Sequence, residues 1–88
     1  MIKYRVIYDS NTGGFIDGFE VRSLEDGKDS ALQILSSWLS ECSSQEERND
    51  MIENDSVWVE EYDTETLCYE TIELTDEELK SIGWEIKE

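Results

Sequence analysis

The sequence predicts an α+β fold: an antiparallel sheet of two hairpins, in the order ββα(α)ββ(α), with one main helix packed on one face. Three observations support this fold class. Apolar residues recur at helical spacing in one long segment, they alternate with polar residues in segments on either side of it, and short polar or glycine-containing turns separate the alternating segments of each pair. With 88 residues, the chain is expected to form a single domain, residues 1–88.

The first hairpin is predicted from residues 2–8 and 15–23. In IKYRVIY the apolar and aromatic residues alternate with Lys3 and Arg5, which indicates a half-buried strand. The turn DSNTGG leads into FIDGFEVRS, whose large apolar residues again share one face. Gly18, inside this second strand, predicts a bulge or a close approach of two backbones.

The main helix is predicted over residues 30–42, SALQILSSWLSEC, because its large apolar residues are spaced by three and four. Two residues compete as its N-cap. Ser23 would place Gly27 in the first helical turn, and the low helix propensity of glycine favours the later start after Asp29. A second, short helix is expected over 45–53, after a capping serine.

The second hairpin is predicted from residues 56–62 and 67–74. A capping box in TDEE then begins a short helix over 76–82, and the glycine that follows is a typical helix end. Trp84 and Ile86 alternate, so the last residues are expected to form either a brief strand or a tail packed on the core. The sheet face away from the helix is expected to carry Lys3, Arg5, Glu20, Glu60 and Glu70.

Charge is the strongest functional signal. The chain has 23 acidic and 7 basic residues and no histidine, a net charge of −16, and residues 49–79 contain twelve acids and no base. Such a surface repels nucleic acids and anionic membranes, so the expected partners are basic proteins or cations. The alternative is that the acids form a solvated face that only maintains solubility.

Neither the cysteines nor the acids indicate catalysis. Cys42 and Cys68 form no C-x-x-C motif and fall on predicted apolar faces, so they are expected to be buried free thiols in a cytoplasmic protein that needs no cofactor. No serine or cysteine has an adjacent base, and paired carboxylates are expected by chance in so acidic a chain. We therefore expect no enzymatic activity.

A calcium-binding hairpin is a weaker alternative. The segment from Asp9 to Glu20 resembles an EF-hand loop, with Asn11 and Asp17 among its oxygen ligands. However, its flanks alternate like strands rather than helices, and Gly13 stands where that family usually supplies a side-chain oxygen.

The predicted binding surface consists of the acids between positions 50 and 78 and two aromatic anchors among them. Lysine and arginine residues that bind phosphate can bind these carboxylates instead, and interfaces favour aromatic anchors. The predicted partner-binding residues are Asp50, Glu53, Asp55, Glu60, Glu61, Asp63, Glu65, Glu70, Glu73, Asp76, Glu77, Glu78, Trp58 and Tyr62.

The chain also resembles a class of known proteins. Its short, acidic, proline-free sequence, with KYRVIY, WVEEYDTETLCYE and LTDEELKSIGW along its length, is similar to small proteins of phages and mobile elements, and within that group to anti-CRISPR and DNA-mimic inhibitors. The resemblance is one of class and transfers no individual site residue. It implies an inhibitor that acts in the host cytoplasm by binding a basic nucleic-acid-binding protein, a CRISPR or other defence effector, where nucleic acid should bind. The alternative is a protein-protein interaction or assembly module that uses an exposed Trp58 or Trp84, or an unpaired strand edge.

Overall fold

The computed structural model describes residues 1–87, which form a four-stranded antiparallel sheet with the strand order β2-β1-β3-β4 and three helices on one of its faces. This arrangement confirms the predicted α+β fold with two hairpins. The elements are β1 (Ile2–Ser10), β2 (Phe15–Val21), α1 (Leu24–Glu41), α2 (Gln45–Asn54), β3 (Asp55–Asp63), β4 (Cys68–Ile72) and α3 (Asp76–Ser81).

The register of β1 against its neighbours defines the two faces of the sheet. Val6 pairs with Val59 of β3 and with Phe19 of β2, and these three side chains lie on the helix-side face. Residues one position away, such as Arg5 and Glu60, lie on the opposite face, which we call the open face. The pairing of β1 with β2 is continuous, so Gly18 is a close approach and not a bulge: a Cβ atom there would lie 2.8 Å from the carbonyl oxygen of Val6.

Glu70 does not lie on the open face, where we expected it. It pairs directly with Glu61, which is two residues from Val59 and therefore on the helix-side face. Residues two apart in a strand share a face, so Glu70 belongs with Cys68 and Ile72. The other four charged residues expected on the open face do lie there.

The core lies between α1 and the two central strands. Ala31, Leu35 and Leu39 of α1 pack on valines of β1 and β3, and Leu74 and Trp84 close the core beside α3. The C-terminal residues were expected to form either a brief strand or a tail packed on the core. Trp84 is buried, which confirms the packed tail at this residue. The expectation that Trp84 could be an exposed anchor is wrong for the same reason.

Helix α1 begins earlier than predicted. Its N-cap is Ser23, whose hydroxyl accepts a hydrogen bond of 3.1 Å from the Asp26 N–H group. Gly27 is buried against the sheet, and a Cβ atom at this position would lie 3.1 Å from Cγ1 of Val59. The glycine that argued against the earlier start is thus favoured by tertiary packing, because a Cβ atom here would crowd the side chains of Val59 and Val21.

The remaining predictions were close to the structure. Ser44 caps α2, the capping box of Thr75 and Glu78 begins α3, and Gly83 follows α3 with a φ of 83°. The cysteines differ from expectation in burial. Both thiols are free, but Cys42 is only partly buried and Cys68 is exposed at the start of β4. No helix within residues 1–87 combines the length and apolar character needed to cross a membrane.

Candidate protein-interaction surface

Asp55 is buried and has a structural role, contrary to its predicted role in binding a partner. Its side chain accepts hydrogen bonds from the Ser10 hydroxyl (3.1 Å), the Thr12 N–H group (3.0 Å) and the Thr12 hydroxyl (2.6 Å). These bonds join the turn after β1 to the start of β3. A carboxylate held in this way is not available to a partner.

Two further carboxylates stabilise local structure at the surface. Asp63 accepts a bond of 2.9 Å from the Glu65 N–H group, and this bond is the main cause of the lowered pKa of Asp63. Glu78 accepts a hydrogen bond of 3.0 Å from the Thr75 N–H group and one of 3.2 Å from the Lys28 ammonium. The bond from Thr75 is the main cause of the lowered pKa of Glu78. Hydrogen bonds to the charged form favour that form, so both groups remain ionised.

Two more carboxylates lie near cations of the same chain. Glu60, on the open face, is 3.8 Å from the Arg5 guanidinium. Glu65 is exposed and lies 3.7 Å from the N-terminal ammonium group. Exposed ion pairs are weak, typically about 0–1 kcal/mol, so these pairs add little to stability but reduce the local negative charge.

The remaining seven of the twelve acids form no ion pair within the described part of the chain, residues 1–87. Five of them lie on β3, on β4, between β4 and α3, or in the first turn of α3. We call these five residues the acidic edge; they are Glu61, Glu70, Glu73, Asp76 and Glu77.

The centre of the acidic edge is a direct pairing of like charges. Glu61 and Glu70 face each other across the antiparallel strands, where Cβ atoms are about 5 Å apart. Together with Asp63 and Tyr69 they line a shallow cavity of about 330 Å³. No three acidic or thiol side chains among residues 1–87 converge closely enough to hold a metal ion. The volume of the cavity gives room for an extended basic side chain.

The other two acids of the seven lie apart from the acidic edge. Asp50 and Glu53 are on α2, which ends beside the Ser10–Asp55 end of the sheet. Glu70 is six residue pairs away along the strands, a distance of about 20 Å. The sequence suggested one continuous acidic surface, but the structure places the Glu61–Glu70 pair at the opposite end of β3 from the end of α2.

The aromatic anchors lie on the open face and not beside Glu61. Trp58 and Tyr62 are half-buried there, and Tyr62 stacks on Tyr69 with ring centroids 4.8 Å apart. Tyr69 is 63% exposed and was absent from the predicted site. The short turn between β3 and β4 could have revealed it, because the hairpin register places Tyr69 directly opposite Tyr62.

The residues of the proposed calcium loop are not brought together. The segment forms the β1–β2 hairpin, in which Asp9 lies on the open face and Asp17 on the helix-side face. Asn11 donates a hydrogen bond of 2.6 Å to the Asn54 carbonyl oxygen, and Glu20 lies 3.3 Å from the Lys3 ammonium, about 13 Å along the strands from Asp9. This geometry does not form an EF-hand site.

The acidic edge can bind cationic side chains. It combines carboxylates with a shallow cavity and the outer edge of β4, and carboxylates accept paired hydrogen bonds from arginine. No protein-family profile matches the chain, and no curated protein or solved structure is significantly similar to it.

Proposed function

We propose that this protein is a non-enzymatic acidic inhibitor that binds a basic nucleic-acid-binding protein, a bacterial CRISPR or other defence effector, and blocks its nucleic-acid site. The observation that carries the proposal is the acidic edge, whose five carboxylates have no ion-pair partner among residues 1–87. A basic groove would supply the missing cations.

The spacing of these charges supports such a fit. Glu61 and Glu70 are about 5 Å apart across the strands, and Glu73 follows Glu70 by about 10 Å of chain. Asp76 and Glu77 continue the series in the first turn of α3, where the helix dipole favours negative charge. A nucleic-acid strand carries one phosphate per about 3.4 Å of axis, so the carboxylates of the acidic edge are spaced about 1.5 to 3 times more widely than phosphates.

The pairing of Glu61 with Glu70 is difficult to explain by solubility alone. Like charges directly opposite each other destabilise an antiparallel pair, by an amount of about 0.2–1 kcal/mol. A solvated acidic face could avoid this cost by alternating its charges with neutral residues. An arginine or lysine from a partner, placed between the two carboxylates, would remove the repulsion and form charge-assisted hydrogen bonds.

The test compares two variants of equal charge. The first neutralises the acidic edge: Glu61→Gln, Glu70→Gln, Glu73→Gln, Asp76→Asn and Glu77→Gln. The control neutralises five exposed acids elsewhere: Glu25→Gln, Asp29→Asn, Glu41→Gln, Glu46→Gln and Glu85→Gln. Each set removes five charges, so both variants change from −16 to −11.

The partner is first captured from a nuclease-treated bacterial lysate at low salt, identified by mass spectrometry and purified. We expect it to be a basic nucleic-acid-binding protein that loses its nucleic acid to this inhibitor. The acidic-edge variant should bind it about 100-fold more weakly, and the control within about threefold of the unmodified protein. Affinity should also fall steeply with salt. Equal loss in both variants, or no loss in either, would contradict the proposal.

A further inference from the structure

An apolar groove lies between β2 and α1, at the β2 edge of the sheet. The acidic edge lies at the opposite edge of the sheet, which is formed by β4. The groove has a volume of about 340 Å³, and no charged residue among residues 1–87 lines it. Phe19, Ile34 and Trp38 supply its apolar walls. Phe15 and Phe19 are 47% and 40% exposed, so large aromatic rings face water here.

The aromatic rings beside the groove contact one another in a fixed arrangement. Tyr8 lies edge-on to Phe15, with centroids 5.9 Å apart, and Phe15 lies edge-on to Trp38 at 6.3 Å and 89°. Phe19 packs on the other side of Tyr8 at 6.3 Å. Because the rings already restrain one another, a partner that covers them orders few additional side chains, which lowers the entropic cost of binding.

Strand β2 adds a backbone edge to this apolar surface, and the Gly18 N–H group of this strand donates a hydrogen bond of 2.8 Å to the Asp17 carboxylate. It is the last strand on its side of the sheet, so within residues 1–87 its outer backbone groups pair with no other strand. Only two carboxylates lie on it, and Glu20 is already 3.3 Å from Lys3. A strand edge flanked by exposed phenylalanines is a template for pairing with another strand.

The distribution of charge indicates what covers this surface. Residues 30–40 of α1 contain no charged side chain, although the whole chain has a net charge of −16 and Asp26 and Asp29, earlier in α1, line the adjoining cavity with Glu20. Two copies of so acidic a protein can approach closely only where carboxylates are scarce. If two sheets join edge to edge through β2, the two β4 strands are seven strand spacings apart, or about 34 Å, which exceeds the Debye length of about 8 Å at physiological salt.

We propose that this surface binds a second copy of the chain, with β2 pairing antiparallel to its symmetry-related copy and the two α1 helices on the same side. This inference does not depend on the acidic-edge proposal. A two-fold axis at Gly18 places Asp17 opposite Phe19, and an axis at Phe19 places it opposite Val21. Both registers keep all helices on one side, and neither places two carboxylates directly opposite each other.

The size of the contact predicts a weak dimer. Seven residues of β2 extend about 24 Å, and the sheet and helix layers together are about 20 Å high, which gives about 500 Å² per copy. The total of about 1,000 Å² is at the lower limit for specific interfaces, so we expect a Kd on the order of 10–100 µM. Salt should strengthen the dimer modestly, by screening the repulsion between acids near the contact, such as Asp17 and Glu20, and those of the other copy.

Analytical ultracentrifugation of the full chain from 1 to 500 µM, in 0.15 and 0.5 M NaCl, tests the proposal. We expect a monomer–dimer equilibrium that shifts toward dimer at the higher salt. Phe19→Lys should weaken the dimer at least tenfold, because it places a charge in the groove. Leu67→Lys makes the same change of charge at an exposed residue of the β3–β4 turn and should change the Kd less than twofold.

Hydrogen exchange of the unmodified chain at 5 and 500 µM makes the test independent of how well the variants fold. The β2 amides that point outward should become more protected at the higher concentration, and those of β4 should not change. The proposal is overturned by a monomer at 500 µM in 0.5 M NaCl, by protection that appears only outside β2, or by equal effects of the two lysine substitutions.

Discussion

Replacement of Asp55 by alanine should strongly destabilise the protein, because Asp55 connects two distant parts of the chain. Its carboxylate accepts one hydrogen bond from Ser10, which is 6% exposed, and two from Thr12 in the exposed turn after β1. Alanine leaves all three donors without this acceptor. The Ser10 hydroxyl, buried within the sheet end, has the least access to water as a substitute.

The magnitude follows from these three bonds. Loss of the acceptor for a buried hydroxyl costs about 1–2 kcal/mol, and each bond to the exposed Thr12 contributes about 0.5–1 kcal/mol because water can replace it in part. The sum is about 2–4 kcal/mol. A domain of this size has a free energy of unfolding of about 4–13 kcal/mol, so Asp55→Ala removes a large share of it.

Urea denaturation followed by circular dichroism measures this loss. With an m value of about 1 kcal/mol/M, the midpoint should fall by about 2–4 M, or the variant should be partly unfolded in buffer. Asp50→Ala removes the same charge from an exposed site on α2 and should shift the midpoint by less than about 0.5 M. Similar midpoints for the two variants would refute the structural role assigned to Asp55.

Three further substitutions test local features of the fold. Gly27→Ala should destabilise the protein by about 1 kcal/mol in thermal unfolding, because overpacking against β3 exceeds the gain in helix propensity. The control, Ser36→Ala at an exposed position of α1, should be neutral or slightly stabilising. Stabilisation by both substitutions would contradict the packing argument. Leu67 has a φ of 59°, a backbone conformation that glycine adopts more readily than leucine. Leu67→Gly should therefore raise the free energy of unfolding by about 0.5 kcal/mol, and a lower melting temperature of this variant would count against strain at this position. Glu78→Gln should cost about 0.5 kcal/mol at pH 7 and Glu77→Gln less. Folding lowers the pKa of Glu78 from its usual value of 4.5. The cost of Glu78→Gln should therefore be fully present at pH values above 4.5 and should disappear as the pH falls through the folded-state pKa. A cost that persists at still lower pH would argue against the capping role.

The elements of this fold could be predicted from sequence because their signals are local. Alternation in IKYRVIY fixes which side chains share a face, and the capping box at Thr75 and Glu78 fixes the start of α3 within one residue. The end of α1 near Cys42 followed from the end of its apolar period. Each of these predictions depends on residues no more than four positions apart.

The predictions that failed depend on contacts between distant residues. Gly27 is selected by its contact with Val59, 32 positions along the chain, and periodicity within the helix carries no sign of that contact. Asp55 resembles eleven other acids in its segment, and only its hydrogen bonds to Ser10 and Thr12, 45 and 43 residues away, distinguish it. The composition of the candidate site was predictable, but its division into buried, capping and solvent-facing carboxylates required the tertiary structure.

The same sheet explains why the two proposed surfaces can coexist in a chain of net charge −16. β2 and β4 are its opposite edges, and the uncharged segment 30–40 of α1 lies near the first whereas the acidic edge lies at the second. Screening weakens attraction between the acidic edge and a basic partner, but it weakens repulsion between two copies at β2 as well. Partner binding should therefore decrease with salt while self-association increases. A protein whose acids served only solubility would show neither a site-specific loss on neutralising the acidic edge nor a dimer that depends on Phe19.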